Sequence, residues 1–270
     1  MNHLFSIITI NYNNLPGLKK TFESVINQTY KEVEYIIIDG GSTDGSKNFL
    51  LDNSEKIDIW ISERDEGIYH AMNKGIDMAS GTYCLFLNSG DYLHNKEILQ
   101  LCNEQMNEFD NSNSNNLVFV GSTQNEKSKI IFSPPNQFSL FHFYNNSIPH
   151  QGEFIPLKIL KNNKYSVDYK SVSDWIKNIQ FLLLGVQFVR LKSPKIISIT
   201  ENAGISSTEI NLTERRLFIK KNIHLFDNFE CLIDSSEKQH LTQYRYYNFV
   251  INSNIINKLL WKIMRFNLKK

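Results

Sequence analysis

Short apolar runs alternate with amphipathic stretches along the first hundred residues. Four runs are rich in β-branched and aromatic side chains, as is typical of buried strands: residues 5–10, 33–38, 57–62 and 83–87. Three stretches between them carry apolar side chains near helical spacing: residues 15–27, 46–51 and 68–79. Gly81 is expected to end the third helix, as a residue that tolerates positive φ. This order predicts a mainly parallel α/β sheet with right-handed crossovers.

The rest of the chain is less regular. Residues 107–116 are polar and rich in Asn, which predicts a surface loop. Residues 117–121 and 129–132 are expected to form strands of a smaller, antiparallel part, and residues 174–191 a helix followed by a strand. In residues 252–270, apolar side chains at helical spacing are interleaved with lysines and an arginine. Such a basic amphipathic helix either packs on its own domain or lies on an anionic membrane surface.

Composition narrows the classes of function. At 270 residues the chain suits one large domain, or one domain with an extension. Its 29 basic and 28 acidic residues nearly balance, which argues against nucleic-acid binding. The three cysteines stand far apart without zinc-binding spacing, so a reduced, cytoplasmic compartment is expected. Neither a signal peptide nor a transmembrane segment is expected.

Polar side chains follow three of the predicted strands where each strand ends. Asp91 comes shortly after the fourth strand, Asp39 directly after the second, and Tyr12 lies between two asparagines after the first. In open α/β sheets, ligands bind at the edge formed by the carboxyl ends of the strands. Three such ends with polar groups therefore predict a nucleotide and metal site.

Four motifs occur in order along this region: FSIITINYN at residues 5–13, IIIDGGSTDG at 36–45, SERDEGIYHAMNKG at 62–75 and LNSGD at 87–91. Together they resemble the family 2 glycosyltransferases, which have the GT-A fold. The resemblance is strong over residues 4–100. It continues at HQGEF (150–154) and VSDW (172–175), and it fades beyond residue 206.

The resemblance implies a fold and an activity. It implies a GT-A domain at residues 1–210, with a Rossmann-like, mainly parallel sheet, followed by a C-terminal helical extension at residues 211–270. Residues 1–105 would bind the nucleotide-sugar, and a smaller mixed region at residues 106–210 would bind the acceptor. The implied activity is an inverting transfer of a sugar, favoured to be UDP-linked, to a saccharide or lipid-linked saccharide in cell-surface glycan synthesis.

The resemblance also implies donor-binding residues: Thr9, Tyr12, Asp39, Asp65, Asn73, Lys74 and Asn88. A ring at Tyr12 would stack on a pyrimidine base, and Asp39 would hydrogen-bond the base or ribose. Each has a structural alternative. Tyr12 is also an ordinary strand-end aromatic, Asp39 a turn-forming residue before two glycines, and Asp65 an acid favoured near a helix N-terminus.

Asp91 occupies the last position of the family's DxD-type metal motif, and here the chain departs from the pattern. The three positions read Ser89, Gly90 and Asp91, so one carboxylate remains. One carboxylate with diphosphate oxygens and waters suffices for Mg²⁺ or Mn²⁺. A divalent cation is therefore expected, with modest affinity; the structural alternative is a turn aspartate.

Asp174 is the candidate catalytic base, because the family's acid lies at the start of a helix beyond a His-Gln segment. Its structural alternative is a helix N-cap. Asp168 and Glu153 are the alternate bases. His150 and Gln151 are candidates for contacting the acceptor or the donor phosphates, although a lone histidine is often structural.

Two rival functions remain open from sequence. A sugar nucleotidyltransferase would normally carry a glycine-rich phosphate loop after the first strand, and residues 11–15 have none. A non-catalytic nucleotide-sugar-binding protein is supported only by the reduced metal motif. The basic tail adds a peripheral location on the inner face of the cytoplasmic membrane as a further hypothesis.

Overall fold

The computed structural model describes residues 4–109, 116–201 and 209–222. In these ranges the strands are β1 (Phe5–Asn11), β2 (Val33–Asp39), β3 (Ile59–Ser62), β4 (Tyr83–Phe86), β5 (Tyr92–Leu93), β6 (Leu117–Val120), β7 (Thr123–Asn125), β8 (Ile131–Phe132), β9 (Glu153–Pro156), β10 (Gln187–Arg190) and β11 (Ser198–Thr200). The α-helices are α1 (Leu15–Ile26), α2 (Ser46–Asp52), α3 (Ile68–Met78), α4 (Ile98–Met106), α5 (Leu140–Asn145), α6 (Leu157–Asn162), α7 (Ser173–Leu183) and α8 (Glu209–Lys221). Short 3₁₀ turns form at Ser54–Lys56 and His150–Gly152.

The larger sheet has the strand order β10-β6-β9-β4-β1-β2-β3. Its neighbouring strands are parallel except where β9 pairs with β4 and β6, which confirms the mainly parallel α/β sheet. The assignment of residues 117–121 to a smaller part was wrong, because β6 belongs to this sheet. All four residues of β6 are buried, and they contribute to the cores on both faces of the sheet.

The smaller sheet has the order β5-β11-β7-β8 and is mixed. β11 is antiparallel to β5 and parallel to β7, while β7 and β8 are antiparallel. The strand predicted near residues 129–132 is found here as β8. Because β5 begins immediately after Asp91, this sheet adjoins the carboxyl end of β4.

Both faces of the larger sheet are buried. Ile8 and Ile36 belong to the core that also contains α3 and α7 side chains, whereas Ile7 and Ile37 belong to the core with α1 and α4 side chains. Strands buried on both faces read as continuous apolar runs, which is why the pattern predicted these elements closely.

The prediction for Gly81 was wrong. α3 gives way to an extended residue at Ala79, and Gly81 is not among the glycines with positive φ. A Cβ on Gly81 would lie 2.6 Å from Ser6 Oγ and 2.8 Å from the Ser6 nitrogen. Glycine is therefore required here for close approach to β1, where the Gly81 N–H donates to Ser6 Oγ at 2.9 Å.

The C-terminal part of the chain is described only through α8, which spans the expected boundary at residue 210. The basic amphipathic helix predicted over residues 252–270 lies outside the described residues. Within the described ranges, no helix is both long and apolar enough to cross a membrane.

Candidate active site

The carboxyl ends of the parallel strands bring their polar residues together around Asp39. This carboxylate is completely buried. Its Oδ1 accepts hydrogen bonds from Asn11 Nδ2 at 2.6 Å and Ser42 Oγ at 2.5 Å. Its Oδ2 accepts from the Ser42 N–H at 3.0 Å and Ser62 Oγ at 2.7 Å. These bonds fill the acceptor capacity of a carboxylate, so Asp39 braces the strand ends, and a ligand contact would displace one of its partners.

Tyr12 and Asp65 flank the backbone that follows Asp39. Tyr12 is 69% exposed. A Cβ on Gly40 would lie 3.2 Å from Tyr12 Cδ2 and 3.1 Å from Asp65 Oδ2. Because Gly40 has no side chain, the space between the exposed Tyr12 ring and the Asp65 carboxylate stays free. A flat base could lie on this ring beside a hydrogen-bond acceptor.

Lys74 holds Asp65 in place from α3. Its Nζ lies 2.7 Å from Asp65 Oδ1 and 2.7 Å from Glu63 Oε1. Burial lowers the pKa of Lys74, but hydrogen bonds and charge interactions with the two carboxylates outweigh burial and raise it. Lys74 is therefore charged at neutral pH and forms an ion pair with Asp65. This ion pair holds the carboxylate in place within the predicted donor motif.

Two predicted donor residues, Thr9 and Asn73, also make contacts within the protein itself. Thr9 is fully buried, and its hydroxyl lies 3.2 Å from the Tyr35 hydroxyl. Asn73 pairs in both directions with the backbone of Tyr165: Nδ2 donates to the carbonyl at 2.8 Å and Oδ1 accepts the N–H at 2.9 Å. Their polar groups therefore already have partners among the described residues, and their contact with the donor stays a prediction.

Asp91 is a nearly buried carboxylate at the far side of this edge, with 5% of its surface exposed. Its Oδ2 accepts from Gln151 Nε2 at 2.8 Å, and its Oδ1 accepts from the Glu201 N–H at 2.9 Å. Burial raises the pKa of Asp91. These hydrogen bonds and the interaction with His150 offset the effect of burial only in part, and the negative charge of Glu201 raises the pKa further. Asp91 would thus gain from a nearby cation.

Asp91 and Asn88 offer oxygen atoms of the kind that a divalent cation takes as ligands. Asn88 Oδ1 is buried and has no hydrogen-bond partner among the described residues. Carboxylate and amide oxygens are ligands suited to Mg²⁺ and Mn²⁺. The described residues contain no group of three or more His, Cys, Asp or Glu that would hold a metal unaided. A cation here would take further ligands from a diphosphate and water.

Asp174 lies at the start of α7 and accepts from three directions. Its Oδ1 accepts from the Tyr69 hydroxyl at 3.1 Å and from the Trp175 N–H at 2.8 Å, while its Oδ2 lies 3.4 Å from His150 Nδ1. Burial raises the pKa of Asp174, but the interactions with His150 and the hydrogen bonds from Trp175 and Tyr69 outweigh it, so the pKa lies below its usual range. The carboxylate is therefore ionised at neutral pH.

The two alternate bases have different surroundings. Asp168 is exposed and accepts from Ser166 Oγ at 3.2 Å. Glu153 is buried and accepts from Asn178 Nδ2 at 2.7 Å, and burial raises its pKa well above the usual range. Asp174, whose pKa is lowered, is better suited to take a proton from a bound hydroxyl than an acid on the exposed surface or a buried acid whose pKa is raised.

The antiparallel strand β9 explains how His150 and Gln151 reach the site. Since β9 runs against β4, its beginning lies at the edge where β4 ends. His150 and Gln151 precede β9 and contact Asp174 and Asp91, respectively. The sequence analysis named both residues but assigned no role to Tyr69 or Glu201. Tyr69 lies inside the DEGIYH motif, so the sequence could have indicated it. Glu201 reaches the site because β11 pairs with β5, and the sequence around Glu201 does not indicate this pairing.

Comparisons with known proteins agree with this fold. The sequence profile of Glycosyl transferase family 2 matches residues 6–156. An uncharacterized glycosyltransferase of Mycobacterium tuberculosis is 42% identical over 95 residues, which cover 35% of this chain and 36% of that protein, so this match spans about a third of the relative's length. A PGL/p-HBAD biosynthesis glycosyltransferase of Mycobacterium bovis is 28% identical over 213 residues, or 77% of this chain and 81% of that protein.

Solved structures give the same architecture. Staphylococcus aureus TarS 1–349 in complex with UDP-GlcNAc has a TM-score of 0.61 at 19% identity, covering 77% of this chain and 60% of that one. The Pyrobaculum calidifontis mannosyltransferase PcManGT, in complex with GDP-Man and Mn²⁺, has a TM-score of 0.56 at 13% identity, covering 80% and 61%. The profile covers more than half of the chain, so this protein belongs to glycosyltransferase family 2, and the likeness to the solved structures shows that it has a GT-A-like fold.

Proposed function

We propose that this glycosyltransferase moves a sugar, with inversion, from a UDP-sugar to a saccharide or lipid-linked saccharide acceptor. One observation carries the proposal. The adjacent residues His150 and Gln151 contact two carboxylates of the site, Asp174 and Asp91, respectively. A base and a diphosphate-binding acid are thereby held at one edge of the sheet by consecutive residues.

The chemistry follows from the protonation of these groups. The ionised Asp174 accepts the proton of the acceptor hydroxyl as the hydroxyl oxygen attacks the anomeric carbon. The bond from the anomeric carbon to the diphosphate oxygen breaks on the opposite face, and the nucleoside diphosphate departs. A single displacement with one base inverts the anomeric centre. A divalent cation held by Asp91 and Asn88 would supply Lewis-acid stabilisation of the leaving diphosphate.

The donor side is proposed to use the residues that flank the loop after Asp39. Tyr12 stacks on the base, Asp65 lies beside it, and Lys74 holds Asp65. Asp39 serves by fixing the loop beneath the nucleotide. The UDP-GlcNAc in the TarS complex supports a UDP-linked hexose or N-acetylhexosamine as donor, and the Mn²⁺ in the mannosyltransferase complex supports a divalent cation.

Thermal stabilisation tests the donor assignment. UDP and a panel of nucleotide-sugars are added to the full chain with and without Mn²⁺, and the melting temperature is measured, since a ligand that binds only the folded state must raise it. We expect a UDP-sugar to stabilise most and to release free sugar slowly without acceptor. Equal responses to UDP and GDP donors, or stabilisation without any release of sugar, would contradict the proposal.

Lipid-linked acceptors for cell-surface glycans suggest a place on the inner face of the cytoplasmic membrane. We propose that residues 252–270 attach there, because their apolar positions at helical spacing are interleaved with five basic side chains. Each basic residue near an anionic surface contributes on the order of 1 kcal/mol. Co-sedimentation with anionic vesicles should be lost at high salt and on deleting residues 252–270. No binding at low salt would mean that the tail packs on protein.

A further inference from the structure

Helix α8 grips the segment that leads into α7. Glu214 Oε1 accepts from the Lys170 N–H at 2.8 Å, and its Oε2 accepts from the Ser171 N–H at 2.9 Å and Ser171 Oγ at 3.1 Å. Asn211 Nδ2 donates to the Ser171 carbonyl at 3.2 Å. Every polar group of Ser171, three residues before Asp174, is thus bound by α8.

The same helix also packs on the other side of Asp174. The Arg215 guanidinium carbon lies 4.9 Å from the centre of the Trp175 ring. The centre of the Phe218 ring lies 5.4 Å from the same Trp175 ring centre. The Trp175 N–H is one of the donors to Asp174. Phe218 also contacts Tyr169, with ring centres 6.3 Å apart. Residues before and after Asp174 are therefore both fixed by α8.

We propose that α8 is a clamp that sets the position of the catalytic base, and that Glu214 is its principal positioning residue. Glu214 acts through the backbone at Lys170 and Ser171. With its carboxylate removed, two backbone N–H groups lose their partners, and one of them belongs to a buried residue, Ser171. The inference rests on the proposed function, since it takes Asp174 as the base.

Helix α8 lies far along the chain from the residues that match the family. The family profile ends at residue 156, and α8 begins at Glu209, so the clamp lies outside the part of the chain by which the family is recognised. Turnover would depend on a helix that contributes no side chain to the predicted donor site. If α8 only stabilised the fold, disrupting it would lower the melting temperature without a specific effect on the chemical step.

A double-mutant cycle separates these roles. We expect Glu214→Ala to lower kcat about 10- to 100-fold, the scale of a misplaced reacting group, with an unchanged KM for the donor and unchanged stabilisation by UDP. In an Asp174→Asn background, Glu214→Ala should lower kcat by less than about twofold, because the group that it positions is already disabled. Glu108→Ala, at an exposed position after α4, is the matched control and should leave kcat unchanged.

Each outcome bears on one proposal. Unchanged kcat in Glu214→Ala, or the same fold-loss in both backgrounds, would overturn the clamp. Full activity of Asp174→Asn would overturn the base assignment instead. If Glu214→Ala does not fold, Glu214→Gln replaces it: one acceptor oxygen remains, so a smaller loss of kcat that again vanishes in the Asp174→Asn background supports the clamp, and a persistent loss refutes it.

Discussion

His150 Nδ1 lies 3.4 Å from Asp174 Oδ2, and Nε2 of the same ring lies 3.2 Å from Asn88 Nδ2. One neutral tautomer satisfies both contacts: Nδ1–H donates to the carboxylate, and Nε2 accepts from the amide. Asn88 must then turn its oxygen away from the ring, and that oxygen is one of the buried side-chain atoms without a hydrogen-bond partner among the described residues. The histidine therefore couples the orientation of the proposed base to that of a proposed metal ligand.

Asp174→Asn keeps the shape of the side chain and can still accept from the Trp175 N–H, but it cannot take up a proton at neutral pH. We expect kcat to fall by roughly 10²–10⁴, the usual scale for general base catalysis, while stabilisation by UDP is unchanged. Steady-state kinetics with donor and acceptor measure this. Asp168→Asn, the same change at an exposed position, is the control; a large loss there with near-normal turnover in Asp174→Asn would exchange their roles.

The pH dependence should depend on His150. The interactions with His150 help to hold the pKa of Asp174 below its usual range. The base works when ionised, so activity is present above this pKa and is lost as the pH falls through it. In His150→Ala the pKa rises, and the acid limb of the kcat profile should move to higher pH. A limb that stays in place would show that another group controls it.

Asp91→Asn should separate metal binding from folding. Burial raises the pKa of Asp91, so its ionised form costs stability at neutral pH, and an amide removes that cost. We expect the melting temperature without ligand to be equal or higher, while the Mn²⁺-dependent part of stabilisation by UDP and the transfer activity disappear. In the unchanged protein, this Mn²⁺ effect should fade on acidification at a higher pH than for an ordinary aspartate. Persistence of the effect in Asp91→Asn would place the metal elsewhere.

Tyr12 offers a test of base stacking that does not involve the metal. Stacking of a base on an aromatic ring is worth about 1–3 kcal/mol. Tyr12→Ala should therefore weaken UDP binding roughly 10-fold or more, whereas Tyr12→Phe keeps the ring and should bind within about twofold of the unchanged protein. Since the side chain is exposed, folding should be unaffected. Isothermal titration calorimetry measures both, and equal losses in the two variants would point to the hydroxyl instead.

Much of the fold could be predicted from the sequence, because strands that are buried on both faces have continuous apolar runs, as β1 and β2 do. The positions of Asp39 and Asp91 near strand ends could be predicted for the same reason, because each follows such a run. Contacts made across long separations were not. Nothing local to Thr9 or Asn73 shows that Tyr35 and Tyr165 occupy their polar groups, and nothing near Asp174 shows that Glu214 holds the preceding turn. These contacts depend on which distant segments pack together, and the spacing of apolar residues along the chain does not indicate that.

Gly90, the middle position of the metal motif, has φ of +105°, and a Cβ there would lie 1.9 Å from Glu201 Oε2. Any other residue at 90 would adopt the left-handed region and also push Glu201 aside. The two positions, more than a hundred residues apart, are thus under one steric constraint. In related sequences they should vary together: where position 90 carries a side chain, the residue aligned with Glu201 should be smaller or turned outward.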